Sequence, residues 1–197
     1  MPLINVRQRK RELRAKYRRI RQSMPPQLKS SLDSRLTEQI LQLDEYKSCR
    51  TLFAFVSGEI ECDTSAVIDD ALKNGKRVAV PKCGEVSGEM DFYYINSRSG
   101  LSRGKFGILE PVPEKCERAE DYSSGLCLVP GLCFDYQGYR IGFGKGYYDR
   151  FLQSFGGTTA GICYYKCTQN TLPKGVYDRP VDILVTERFV NRNPVKE

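Results

Sequence analysis

The stretch TLFAFVSGEIECDTSAVIDDALKNGKRVAVP, residues 51–81, decides the fold. Residues 51–56 form a short apolar, partly aromatic run of the kind that makes a buried strand, and a polar turn follows it. A helix is predicted from Thr64, whose hydroxyl suits an N-cap, and Gly75 closes it before a second apolar run over residues 77–81. Two short buried strands joined by a helix pair in parallel, because the crossover returns the chain to the end it left. Further buried strands are predicted at residues 126–130, 158–164 and 182–186, a helix at 147–155 and an edge strand at 91–95. Upstream, Leu13, Tyr17, Ile20 and Met24 recur at helical spacing over residues 6–24 until Pro25-Pro26 stops them, and Leu28, Leu32, Leu36, Ile40 and Leu43 mark a second helix. Residues 97–124, rich in Ser, Gly, Pro and charge, read as a long surface excursion. The expected architecture is α/β: one three-layer domain over residues 1–197, a mainly parallel central sheet flanked by helices, with the basic helix 6–24 packed on it.

Composition narrows the chemistry. The chain has no histidine, which removes the commonest general base, the commonest metal ligand and every Ser-His or Cys-His pair. Catalysis must use carboxylates, lysines, tyrosines, a hard cation or reactive atoms of the substrate. The eight cysteines are scattered, with no C-x-x-C pair, and Cys62, Cys127, Cys133 and Cys163 sit in or beside apolar runs; free, buried thiols are expected. No apolar run reaches the about 18 residues needed to cross a bilayer, and the start of the chain lacks the pattern of a secretory signal, so a cytoplasmic protein without a membrane partner is expected. The net charge of +7 is concentrated in residues 1–29, where ten Lys or Arg face the single Glu12. Such a segment seeks an anion: nucleic acid, the phosphates of a nucleotide or a poly-acidic substrate tail.

The chemistry is carried by residues 129–150, VPGLCFDYQGYRIGFGKGYYDR. Gly142, Gly144 and Gly146 stand on alternate positions just before a predicted helix, so backbone N–H groups can turn together toward an anion at the helix start. Lys145 and Arg140 supply positive charge beside that point, and Asp149 is placed to hold magnesium against phosphates. On spacing alone, a tight connection in which Asp149 merely favours a helix start accounts for the same residues.

That string closely resembles the signature region of the 5-formyltetrahydrofolate cyclo-ligase family. The resemblance extends to Lys10-Arg11-Glu12-Leu13-Arg14, Glu61-Cys62-Asp63-Thr64, Gly75-Lys76-Arg77 with Val80-Pro81, and residues 180–187 (PVDILVTE). It implies an ATP-dependent closure of 5-formyltetrahydrofolate to 5,10-methenyltetrahydrofolate, with magnesium as cofactor and ATP as co-substrate. Lys10, Arg14, Arg140 and the loop Gly142, Phe143, Gly144, Lys145, Gly146 and Tyr147 are then nucleotide ligands, with Arg140 and Lys145 neutralising charge during transfer. Asp149 and Asp182 resemble the magnesium carboxylates, while Val56, Glu61 and Tyr148 resemble the folate-binding residues. The implied partners are small molecules, ATP and a reduced folate with or without a polyglutamate tail, rather than nucleic acid, and a monomer is expected. Cys62 and Cys133 depart from the family's pattern, and residues 97–124 match little of it.

Overall fold

The computed structural model describes residues 5–84, 86, 88–104 and 107–193. Helix α1 (Val6–Gln22) is capped by the Asn5 side chain, which accepts from the Gln8 N–H (3.1 Å). Helix α2 (Pro26–Gln42) begins with Pro26 in its first turn, where a missing N–H costs nothing, and α3 (Asp44–Ser48) is a single further turn. Strand β1 (Thr51–Phe53), helix α4 (Ser65–Lys73) and strand β2 (Arg77–Cys83) form the expected unit, with β1 and β2 parallel. Thr64 occupies the N-cap position, but its hydroxyl donates to the Phe55 carbonyl (2.6 Å) and ties the helix start to the end of β1. Asp63 Oδ1 instead accepts the Ser65 N–H (2.9 Å). Gly75, at φ +73°, closes the helix as expected.

Strand β3 (Met90–Ile95) runs antiparallel to β2 on the outer side. The excursion that follows is more ordered than its composition suggests. It contains a two-stranded ribbon, β4 (Ser102–Arg103) with β5 (Leu109–Glu110), and its end lies along the free edge of β3, where the Ala119 N–H donates to Phe92 O (2.8 Å) and the Tyr94 N–H to Glu117 O (2.8 Å). An outer strand left bare would invite pairing with another chain, and this strip covers it.

Strand β6 (Leu126–Pro130) leads into a small sheet of β7 (Cys133–Asp135), β8 (Arg140–Ile141) and, later, β10 (Thr168–Gln169). Helix α5 (Tyr147–Phe151) is shorter than the 147–155 span expected, and β9 (Thr158–Ile162), β11 (Ile183–Val185) and β12 (Val190–Arg192) complete the main sheet. The seven strands lie in the order β12-β11-β9-β6-β1-β2-β3; the five central ones are parallel and the two outermost run antiparallel to their neighbours.

The buried apolar residues form one continuous cluster. Phe53, Phe92, Tyr122, Phe151 and Phe155 meet edge-on or tilted, with centroids 4.6–6.4 Å apart, so the sheet, α5 and the end of the excursion share one aromatic centre. All eight cysteines are free, and Cys62, Cys127, Cys133 and Cys163 are buried as expected, with Cys167 in addition. Among the described residues no helix is long and apolar enough to cross a membrane.

Candidate functional site

The strand order reverses between β1 and β6: from β1 the chain moves outward to β2 and β3, and from β6 it moves the other way to β9 and β11. In an open parallel sheet, connections diverge at such a point and leave a crevice beyond the carboxyl ends of the strands. The main cleft lies there, with a cavity volume of about 620 Å³; Phe55 and Val56 beyond β1, Pro81 and Cys83 of β2, and Pro130 ending β6 form its floor.

Helix α1 forms one wall. Lys10, Arg14, Arg18 and Gln22, four residues apart, lie on one helical face toward the cleft. The apolar face of α1 buries Leu13 and Tyr17. Arg21 is buried too: Nη1 donates to Ile60 O (3.1 Å) and Nη2 to Gly131 O (2.5 Å), linking the helix to segments on both sides of the cleft.

The loop after β8 forms the opposing wall. Gly144 (φ +101°) and Gly146 (φ +74°) occupy the left-handed region that other residues adopt at a cost, whereas Gly142 does not, and a Cβ there would meet open space. Gly142 O accepts from Arg14 Nε (3.1 Å), and the guanidinium lies against Gly144, where a Cβ would sit in tight contact 3.2 Å from Nε. Among the described residues, none of the N–H groups of residues 143–146 donates a hydrogen bond within the protein. Adjacent amides left without partners in a cleft wall are anion-seeking groups. Because α5 has only five residues, these amides and the side chains, more than a helix dipole, carry the positive potential.

Arg140 and Asp149 meet across this loop, Nη2 to Oδ1 at 2.6 Å, and Arg140 Nη1 donates to Arg179 O (3.0 Å). Burial pulls the Arg140 guanidinium below its usual pKa, while the charge of Asp149 opposes the shift. Lys145 is exposed and makes no ion pair among the described residues. Phe143 lies under the Arg18 guanidinium, 5.1 Å from ring centroid to Cζ.

At the far end, Glu61 is buried in a turn where its Oε2 accepts the Gly58 N–H (2.8 Å). Burial raises the Glu61 pKa, opposed by that hydrogen bond and by the charges of Arg21 and Lys29. Tyr148 lines the same cleft, and its hydroxyl is buried with no hydrogen-bond partner among the described residues. Burial raises its pKa well above the ordinary value, the charge of Glu61 adds to the shift and Arg140 opposes it.

Of the residues singled out in the sequence, Lys10, Arg14, Val56, Glu61, Arg140, residues 142–148 and Asp149 all line this one cleft. Asp182 does not. Its Oδ2 accepts from the Thr159 N–H (2.8 Å) and Oγ1 (2.6 Å), which fastens the segment before β11 to β9, so the structure does not set it opposite Asp149 in the cleft wall. Asp178, paired with Lys10, also lines the cleft, as do Glu59 and Glu110; an isolated Asp in a loop carries no sequence signal. Arg18, Gln22, Met90 and Ile108 also line it, and only the four-residue spacing on α1 could have pointed to the first two.

A doubly wound α/β protein with a cationic, glycine-lined cleft at its switch point belongs to the class of open-sheet proteins whose ligand crevice lies beyond the carboxyl ends of the strands. The sequence model of the 5-formyltetrahydrofolate cyclo-ligase family matches residues 6–187. A probable 5-formyltetrahydrofolate cyclo-ligase of Schizosaccharomyces pombe is 31% identical over 174 residues, covering 80% of this chain and 85% of the relative. The 5-formyltetrahydrofolate cyclo-ligase of Mus musculus is 30% identical over 159 residues, covering 78% of each chain. The NMR structure of Aquifex aeolicus 5,10-methenyltetrahydrofolate synthetase superposes with a TM-score of 0.83 at 33% identity, covering 95% of this chain and 94% of that one. The chain belongs to the 5-formyltetrahydrofolate cyclo-ligase family.

Proposed function

We propose that this protein closes 5-formyltetrahydrofolate to 5,10-methenyltetrahydrofolate at the expense of ATP, releasing ADP and phosphate. The observation that carries the nucleotide half of this reading is that the N–H groups of residues 143–146, which donate no hydrogen bond among the described residues, belong to a loop lining the same cleft as Lys10, Arg14 and Arg140. The triphosphate lies along that loop. The formyl oxygen attacks the γ-phosphorus, the neighbouring folate nitrogen then closes the ring, and phosphate leaves. Both reacting groups belong to the substrate, so the protein's task is alignment, exclusion of water and neutralisation of charge, which a chain without histidine can perform.

Arg140 and Lys145 stabilise the charge that develops on the transferred group. Magnesium suits this setting, since it takes one or two carboxylates and fills its remaining positions with phosphate oxygens and water. Asp149 is the carboxylate that would hold it: its side chain is 32% exposed, and its Oδ2 makes no hydrogen bond among the described residues. When bound there, the ion offsets the charge of the phosphates. Glu61 accepts hydrogen bonds from the amino and amide N–H groups of the pterin, Val56 and Tyr148 flank the ring, and the Tyr148 hydroxyl has its missing partner in the substrate.

The test is an anaerobic mixture of purified protein, 5-formyltetrahydrofolate and magnesium-ATP, followed by the absorbance of the methenyl product. Product should form only with ATP present, and Asp149→Ala should reduce kcat/KM by about a hundredfold or more. Turnover without nucleotide would redirect the reading to a different reaction on the same cleft.

A further inference from the structure

Asp178 sits in a tight turn, where its N–H donates to Gly175 O (3.2 Å) and its Oδ2 accepts the Gly175 N–H (2.7 Å). The same oxygen pairs with the Lys10 ammonium, and the two side chains are largely covered, 14% exposed for Lys10 and 17% for Asp178. One residue further on, Arg179 O holds Arg140 Nη1 at 3.0 Å. Two successive residues therefore grip two cations that come from different elements, Lys10 from α1 and Arg140 from β8. The segment is itself fastened at both ends: the Leu172 N–H donates to the fully buried Asp135 (2.9 Å), and the Val181 N–H donates to Gly138 O (3.0 Å).

A lysine on its four-carbon stem loses rotamer freedom when it must meet a phosphate, and a fixed partner removes that loss before the ligand arrives. An ammonium has three donors, so a bond to one carboxylate leaves two for phosphate oxygens. Asp178 is a suitable anchor because its own turn holds it still.

We propose that Asp178 is a positioning residue for the nucleotide: it holds the Lys10 ammonium at the cleft, while the adjacent Arg179 carbonyl does the same for Arg140, so that both cations meet one polyphosphate. The proposal rests on the nucleotide reading above. Asp178 touches no ligand itself and acts through Lys10.

The test combines calorimetry, using magnesium and a non-hydrolysable ATP analogue, with steady-state kinetics on wild type, Asp178→Asn, Asp178→Glu, Lys10→Ala and the Lys10→Ala/Asp178→Asn double variant. Asp178→Asn should raise Kd and KM for nucleotide about tenfold, the size of one charge-assisted hydrogen bond, and leave kcat and the folate KM within about twofold. Asp178→Glu, which keeps the charge but shifts it by one methylene, should fall between. The double variant should bind no more weakly than Lys10→Ala alone, because the second change has nothing left to act through. Losses that multiply in the double variant overturn the proposal. Nucleotide binding that is unchanged or tighter in Asp178→Asn also overturns it and makes the carboxylate a competitor of phosphate for Lys10. Should Asp178→Asn fail to fold, unchanged nucleotide affinity in Asp178→Glu decides against it in the same way. A wild-type protein that takes up no nucleotide would remove the nucleotide reading and this inference together, whereas tight wild-type binding with unaffected variants removes only this inference.

Discussion

Gly142, Gly144 and Gly146 look equivalent in the sequence, and the structure separates them. Only Gly144 and Gly146 have positive φ, so Gly146→Ala should cost about 1–2 kcal/mol of stability and raise the nucleotide KM, while Gly142→Ala should change the melting temperature little. Thermal unfolding of the two variants side by side checks this. Glu61 gives a second test. Its folded pKa lies above the ordinary carboxylate value because of burial, so the folded state holds its proton at pH values where the unfolded chain has lost it. Stability contributed this way is present below the unfolded value and declines as pH rises through the folded one. Glu61→Gln, which carries no charge to bury, should therefore melt higher than wild type at pH 8, converge with it near pH 4, and bind the folate more weakly, a trade of function for stability measurable by paired unfolding and binding curves. The glycine-rich string makes Arg140 and Asp149 candidates by their spacing, and the family resemblance adds Lys10 and Arg14. Asp178 and the partnerless Tyr148 hydroxyl were illegible, since their significance lies in which distant groups they do or do not meet.

At the level of elements, short apolar runs mark the six strands from β1 to β11 of the main sheet and helical spacing marks the long helices, with residues 126–130 matching β6 at both ends, whereas β12 (Val190–Arg192), beyond the last strand expected, has only three residues and no apolar run. The small sheet of β7, β8 and β10 leaves no mark in the sequence, because strands of two or three residues have no period to read. Helix α5 was overextended because residues 152–155 continue its apolar pattern; in fact Phe155 joins the aromatic centre from beyond the helix end. The polar excursion concealed Ala119 and Tyr122, two residues that fix it to β3 and to the Phe53 ring. Tyr122→Ala should cost about 2–3 kcal/mol and, by loosening the strip along β3, hasten proteolytic cleavage between residues 97 and 124 before the rest of the chain is cut. Cleavage first in another region would locate the weakest segment elsewhere.

At the scale of the whole molecule, the order of the strands determines where chemistry can occur, and no local pattern reveals that order. The cleft closes only where the earliest and latest parts of the sequence meet: Arg14 reaches Gly142 across 128 positions and Lys10 reaches Asp178 across 168. During synthesis, α1 leaves the ribosome with its cations bare and waits on the order of ten seconds for the residues that will face it. Throughout that interval Lys10, Arg14 and Arg21 lack the distant groups that hold them in the folded protein, so the final third of the chain to emerge is what converts three free cations into one side of a cleft.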